Sequence, residues 1–199
     1  MSEIAKHWID GEWTGSGTVS ESVNPATGAV LGRWADGGEA EARAAITAAG
    51  GAFETPPWSR DRTLRHRALS EMADRFDAHA DELGTLVTKE NGKILAQGMF
   101  ESTTAGGTLR HNAAQALTDT GISAEVAPGQ WFSTYAEPAG VVGIIVPWNS
   151  PVALLIRSLA PALSAGNTVA VKMPGQTALV ANLVSQIIAE VTSLPRGVV

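Results

Sequence analysis

The chain has 199 residues, 44% of them apolar and 17% charged, with a net charge of −6 and no cysteine. That much apolar chain can bury a core, which excludes a disulfide-stapled miniprotein and disfavours intrinsic disorder. The missing cysteine excludes disulfides, zinc–thiolate and iron–sulfur sites and a cysteine nucleophile within these residues, and the acidic balance argues against a nucleic-acid partner.

The opening MSEIAKHWIDGEW lacks the apolar core of a signal peptide. The longest apolar stretch, Ala139 to Trp148, is too short to cross a bilayer. A soluble cytoplasmic protein with no membrane partner is therefore expected. His7 to Trp13 alternates apolar residues around Asp10-Gly11, a hairpin signal. Asn24-Pro25-Ala26-Thr27-Gly28 is a second turn, followed by the strand-like Ala29 to Trp34. Residues 1–38 thus read as amino-terminal strands and turns. Glu39 to Phe53 fits a helix ended by Gly50-Gly51, with Pro56-Pro57 beyond. Asp61 to Leu83 reads as one amphipathic helix whose buried stripe is Leu64, Ala68, Leu69, Met72, Phe76, Ala80 and Leu83. Another runs from Ile94 to Leu117, weakened by Gly106-Gly107. Together these make a helical region, 39–120. Residues 121–139 read as strands, with Gln130 to Glu137 as a half-exposed strand.

From Gly140 onward the only charged residues are Arg157, Lys172, Glu190 and Arg196, the mark of a buried segment. Val141 to Val146 is a continuous apolar run, as expected of a strand buried on both faces. Pro147-Trp148-Asn149-Ser150-Pro151 ends it. A helix follows from Val152 to Leu163, limited by Pro161. Thr168 to Lys172 is a second buried strand, closed by Pro174-Gly175, and Thr177 to Val191 a second helix. A third strand should begin at Leu194 to Val199. The fold class is α/β: an amino-terminal β-hairpin and helical region followed by an incomplete parallel βαβα, Rossmann-like, cofactor-binding unit at 140–199. So few parallel strands would leave apolar edges uncovered, so the chain is expected to be the front part of something larger.

No G-x-G-x-x-G fingerprint, P-loop, G-x-S-x-G elbow or H-E-x-x-H pattern is present. His7, His66, His79 and His111 are scattered without ligand spacing, so no metal is expected. In open α/β sheets ligands bind beyond the carboxyl ends of the strands. That singles out Val146-Pro147-Trp148-Asn149 and Lys172-Met173-Pro174. An asparagine there can donate its amide to a developing oxyanion. A lysine there offers a cation to ribose hydroxyls or phosphate. Turn chemistry for Asn149 and a solvated charge for Lys172 remain open alternatives. Ser150 precedes Pro151 at a helix start, where capping is expected of it.

Gly143-Ile144-Ile145-Val146-Pro147-Trp148-Asn149-Ser150-Pro151, Ala160 to Val169 and Val171-Lys172 together resemble the aldehyde dehydrogenase superfamily. Asn24 to Gly28, Glu90-Asn91-Gly92-Lys93 and Leu194-Pro195-Arg196-Gly197-Val198-Val199 resemble further segments of its pattern, so the likeness covers the whole chain. The resemblance implies oxidation of an aldehyde to a carboxylic acid with NAD or NADP, by a homo-oligomer (dimer or tetramer) that uses the strands of 121–139 as a bridging hairpin for contact. Asn149 then matches the residue that stabilises the oxyanion. Ile145, Val146, Pro147 and Trp148 match a wall along the cofactor, and Lys172 matches the lysine at the adenosine ribose. Gly175, followed by Gln176, stands where the family often has a glutamate that holds the ribose hydroxyls, which implies that NADP is accepted comparably to NAD. The family's catalytic cysteine, glutamate base and glycine-rich turn belong to later segments, which implies that the catalytic domain is the missing part, so these residues alone are expected to be inactive. Alternatives are a non-catalytic nucleotide-binding or subunit-interaction module, or a related semialdehyde or acyl-phosphate dehydrogenase.

Overall fold

The computed structural model describes residues 4–118 and 120–199; Met1 to Glu3, at the head of the segment weighed above as a leader, and Asp119, beside the 120/121 boundary, lie outside the described residues. His7–Ile9 (β1) and Glu12–Thr14 (β2) pair antiparallel, Ile9 opposite Glu12. Their two-residue turn needs left-handed backbone at both centres, and Asp10 (φ 52°) and Gly11 (φ 70°) supply it. Thr18–Val23 (β3) and Val30–Asp36 (β4) form a second hairpin. Asn24 closes its loop, with Oδ1 accepting from the Ala26 amide at 2.9 Å.

Five helices follow: Glu39–Glu54 (α1), Arg62–Ala78 (α2), Ala80–Asn91 (α3), Leu95–Thr103 (α4) and Ala105–Thr118 (α5). Asp61 caps α2 by accepting from the Leu64 amide at 2.9 Å. The single helix expected from Asp61 to Leu83 is broken at His79, which takes φ −101° and ψ 10°. An apolar stripe fixes which face is buried, not whether the axis runs on, and Phe76, Ala80 and Leu83 stay buried across the break. The helix expected from Ile94 to Leu117 is likewise two. Thr103 and Thr104 hydroxyls donate back to the Met99 and Phe100 carbonyls at 2.8 and 2.9 Å, competing with the helical ladder where it ends. Gly106-Gly107 lies inside α5 and does not break it.

Ile122–Ala127 (β5) and Gln130–Thr134 (β6) pair antiparallel and are exposed almost throughout. Residues 135–137 are not strand. Val141–Ile145 (β7) and Thr168–Lys172 (β8) are parallel, registered from Val141 opposite Thr168 to Ile145 opposite Lys172. Pro151–Ser164 (α6) is their crossover. Pro161 lies within α6 rather than ending it; Leu159, Ala160 and Leu163, all fully buried, hold the helix through the proline. A single 3-10 turn, Gly175–Thr177, leads into Ala178–Ala189 (α7).

The core gathers Leu69, Met72 and Phe76 of α2, Leu109 of α5, Leu155 and Leu159 of α6 and Ile187 of α7 around Ile144 and Val169. β7 departs from the expected double burial. Ile144 is 6% exposed whereas Ile145, on the opposite pleat, is 83% exposed, because successive strand residues face opposite sides and only one side here meets the core. Beyond β8, the Val169 amide donates to the Val198 carbonyl at 2.9 Å, so residues 197–199 run along the edge away from β7. They form no strand among the described residues. No helix among the described residues is long and apolar enough to cross a membrane.

Candidate functional site

The parallel register brings the carboxyl ends of β7 and β8 together. Ile145 stands opposite Lys172, and the Val146 amide extends the pairing by donating to the Lys172 carbonyl at 3.0 Å. Beside these ends lies a cavity of about 840 Å³, lined by Ile145, Lys172, Gly175 and Gln176 with Trp34 and Asn182. Four sequence-selected residues therefore share one cavity. The other four do not line it. Val146 is buried in the core, so its side chain forms no wall there. Pro147 is exposed. Trp148 lines a second cavity of about 290 Å³ with Glu90, Asn91, Gly175 and Gln176. Asn149 is exposed and lines neither.

Gly175 has a steric reason that the sequence did not disclose. A Cβ on it would lie 2.7 Å from Cη2 and 2.9 Å from Cζ2 of Trp34. The indole thus fills the space a side chain at 175 would need. Trp34 also carries a buried Nε1 with no hydrogen-bond partner, a free donor on a residue of the cavity wall.

The amino termini of both helices in the βαβα unit are occupied by carboxylates, each from a distant segment. Glu90, 4% exposed, accepts from the Leu179 and Val180 amides of α7, both at 2.8 Å, and from the Ser22 hydroxyl at 2.6 Å. Burial raises the Glu90 carboxyl above its usual range, against the opposing pull of these donors. Glu101 accepts from the Val152 amide of α6 at 2.8 Å and pairs with Lys93 through its other oxygen at 2.5 Å. Ser150 holds the first position before α6 but makes no cap bond; Glu101 reaches those amides, and the Ser150 hydroxyl instead accepts from Lys93 at 2.9 Å. Glu90-Asn91-Gly92-Lys93 was legible as a segment. Its reach to both helices was not, because the partners lie 57 to 90 residues away. Glu101 gave no sequence signal. No group of three or more His, Asp and Glu among the described residues could hold a metal ion.

The sequence pattern of the aldehyde dehydrogenase family matches residues 13–199. Phenylacetaldehyde dehydrogenase of Pseudomonas fluorescens is 35% identical over 95% of this chain and 39% of its own length. The NADP/NAD-dependent aldehyde dehydrogenase PuuC of Escherichia coli is 33% identical over 96% of this chain and 39% of its own. Among solved structures, HpcC of Thermus thermophilus superposes with a TM-score of 0.92 at 36% identity, and the NAD+ complex of the Bacillus cereus aldehyde dehydrogenase with 0.93 at 30%; each covers 98% of this chain. The chain spans about two fifths of the length of the relatives it matches.

Proposed function

The chain belongs to the aldehyde dehydrogenase family, and on that premise we propose that the ends of β7 and β8 supply the nucleotide-binding and oxyanion-stabilising part of an NAD(P)-dependent oxidation of an aldehyde to an acid. One observation carries this: Lys172 closes a parallel strand at the wall of a cavity large enough for a nucleotide. The residues present suit such a group. Lys172 offers a cation to ribose hydroxyls or a phosphate. Ile145, 83% exposed, offers an apolar face. Trp34 lines the same wall with a buried donor unused by the chain.

A nicotinamide nucleotide held beside Lys172 and Ile145 would supply the hydride acceptor for the oxidation. The chain's part is to position and stabilise. Lys172 fixes the ribose end. Gly175 places no carboxylate at that position, which supports acceptance of NADP comparably to NAD; the carboxylates of the same wall, Glu21, Asp36 and Glu41, come from other segments. Asn149 is free to donate its amide to the oxyanion that forms when a nucleophile adds to the aldehyde. These 199 residues contain no cysteine, so a thiolate nucleophile of the kind the family uses would be supplied by a further segment.

The test is turnover. The chain alone yields no aldehyde-dependent NADH or NADPH. Joined to the remainder of the Pseudomonas fluorescens relative it gains activity, and Asn149→Ala in that enzyme lowers kcat by about a hundred- to a thousandfold. Reduction of nucleotide by the chain alone, or an Asn149→Ala enzyme of unchanged kcat, overturns the reading.

The β5–β6 hairpin supports assembly of the whole protein. Trp131 is 69% exposed and Ile122 68%, an apolar hairpin suited to strand or face pairing with a second copy.

A further inference from the structure

Resting on the reading of Asn149 as the oxyanion donor, we infer that Asn91 and Lys93 are its positioning residues: together they fasten the loop on both sides of it. Asn149 makes no hydrogen bond of its own among the described residues. Its neighbours are held. On one side the Asn91 side-chain amide donates to the Trp148 carbonyl at 2.6 Å. On the other, Lys93 Nζ donates to the Ser150 hydroxyl at 2.9 Å. Pro147 and Pro151 bracket the segment and restrict its backbone further. The loop thus has two stiff ends and two tethers, with one exposed amide between them.

Both tethers come from one turn. Asn91 ends α3, and Gly92 takes φ 84° in the left-handed region, so that Lys93 leaves in a new direction. A side chain at 92 would also meet Pro25, whose Cγ lies 2.8 Å from the Cβ position. Lys93 is itself anchored. It pairs with Glu101, whose other oxygen accepts from the Val152 and Ala153 amides at 2.8 and 3.3 Å. The Lys93 side chain is 16% exposed and that of Glu101 4%, so the pair is shielded from water and directional. Held between the start of α6 and Ser150, the ammonium fixes the loop relative to the helix that follows it. An amide that stabilises charge without reorganising must be placed before the charge forms. This turn does that from 57 residues upstream.

The experiment uses the full 199-residue chain. ¹⁵N relaxation is recorded at the Trp148, Asn149 and Ser150 amides in the native chain and in Asn91→Ala, Lys93→Met and Lys93→Arg, with Tm and the hydrogen exchange of α6 measured for each. Asn91→Ala and Lys93→Met are expected to lower the order parameters at residues 148–150 from about 0.85, the level of rigid backbone, to below about 0.6, because each removes one tether. Amides within α6 stay protected from exchange in Asn91→Ala. Lys93→Arg, which keeps the charge and donors, restores the native pattern. Should Lys93→Met fail to fold because Glu101 is left unpaired, Asn91→Ala decides. Native order at residues 148–150 in folded Asn91→Ala would overturn the inference, as would loosening in Lys93→Arg as large as in Lys93→Met. Failure of the native chain to bind NAD or NADP would strike the reading of the preceding section while leaving this measurement intact, so the two failures are separable.

Discussion

Glu71 shows what a single carboxylate can fasten. It accepts from the amides and hydroxyls of both Thr192 and Ser193, at 2.6 to 3.1 Å, and so ties the segment after α7 back to α2. Desolvation would raise its pKa, but the four donors outweigh that and hold it at about 2. A folded pKa below the unfolded value means that this tie contributes fully above about pH 5 and is lost as the pH falls toward 2. Chemical denaturation from pH 7 to pH 2 should therefore show a loss on the acid side that is smaller in Glu71→Gln; equal acid sensitivity in both would refute the assignment. Glu90 runs the other way, because burial raises its pKa, so protonating it does not weaken the fold as protonating Glu71 does. Residue 175 is ruled by contact rather than charge. Gly175→Glu must displace the Trp34 ring, so it is expected to lower Tm, and adding Trp34→Val should recover most of the loss. Additive effects in the double variant would show that the ring is not the obstacle. Neither partnership was legible in sequence: Glu71 lies 121 residues from Thr192, and no local pattern marks Trp34 as the neighbour of Gly175.

Among the elements, α3 and α4 pack against each other through glycine. A Cβ at Gly98 would collide with Thr88 Oγ1 and lie 2.5 Å from the Gly84 carbonyl oxygen, and backbone cannot yield as a side-chain tip can. Gly98→Ala should cost about 1–3 kcal/mol in denaturant unfolding. Gly107 in α5 is exposed with no atom within 4 Å of its Cβ position, so Gly107→Ala should instead stabilise by about 0.5–1 kcal/mol. The same sign for both would contradict this account of packing. Sequence periodicity located α1, the stripe of α2 and α3, and the βαβα order, because each depends on local spacing. It missed the breaks at His79 and Thr104, where the axis turns while the apolar face continues. It also placed Pro161 at an end, since the penalty of an internal proline is visible locally and the burial that overcomes it is not.

At the scale of the molecule, one core joins the helical region to the βαβα unit, while the β5–β6 hairpin carries its apolar residues outward. Sedimentation of the chain at rising concentration should show self-association that Trp131→Ser weakens; a monomer at all concentrations would speak against assembly through the hairpin. Two apolar runs and an intervening helix made the parallel strands and their ends readable in advance, whereas the register that sets Ile145 against Lys172 came from the structure. The separation of Asn149 from the cavity was not, since the course of the loop is set by tethers from Asn91 and Lys93. The central claim is that Lys172 holds a nicotinamide nucleotide at the strand ends, and calorimetric titration of NAD and NADP into the native chain and Lys172→Ala tests it most directly. Both nucleotides are expected to bind, with affinities within about tenfold of each other, and Lys172→Ala to weaken both by about ten- to a hundredfold, the worth of a hydrogen bond from a charged donor. Binding of neither nucleotide, or affinities unmoved by the substitution, would contradict it.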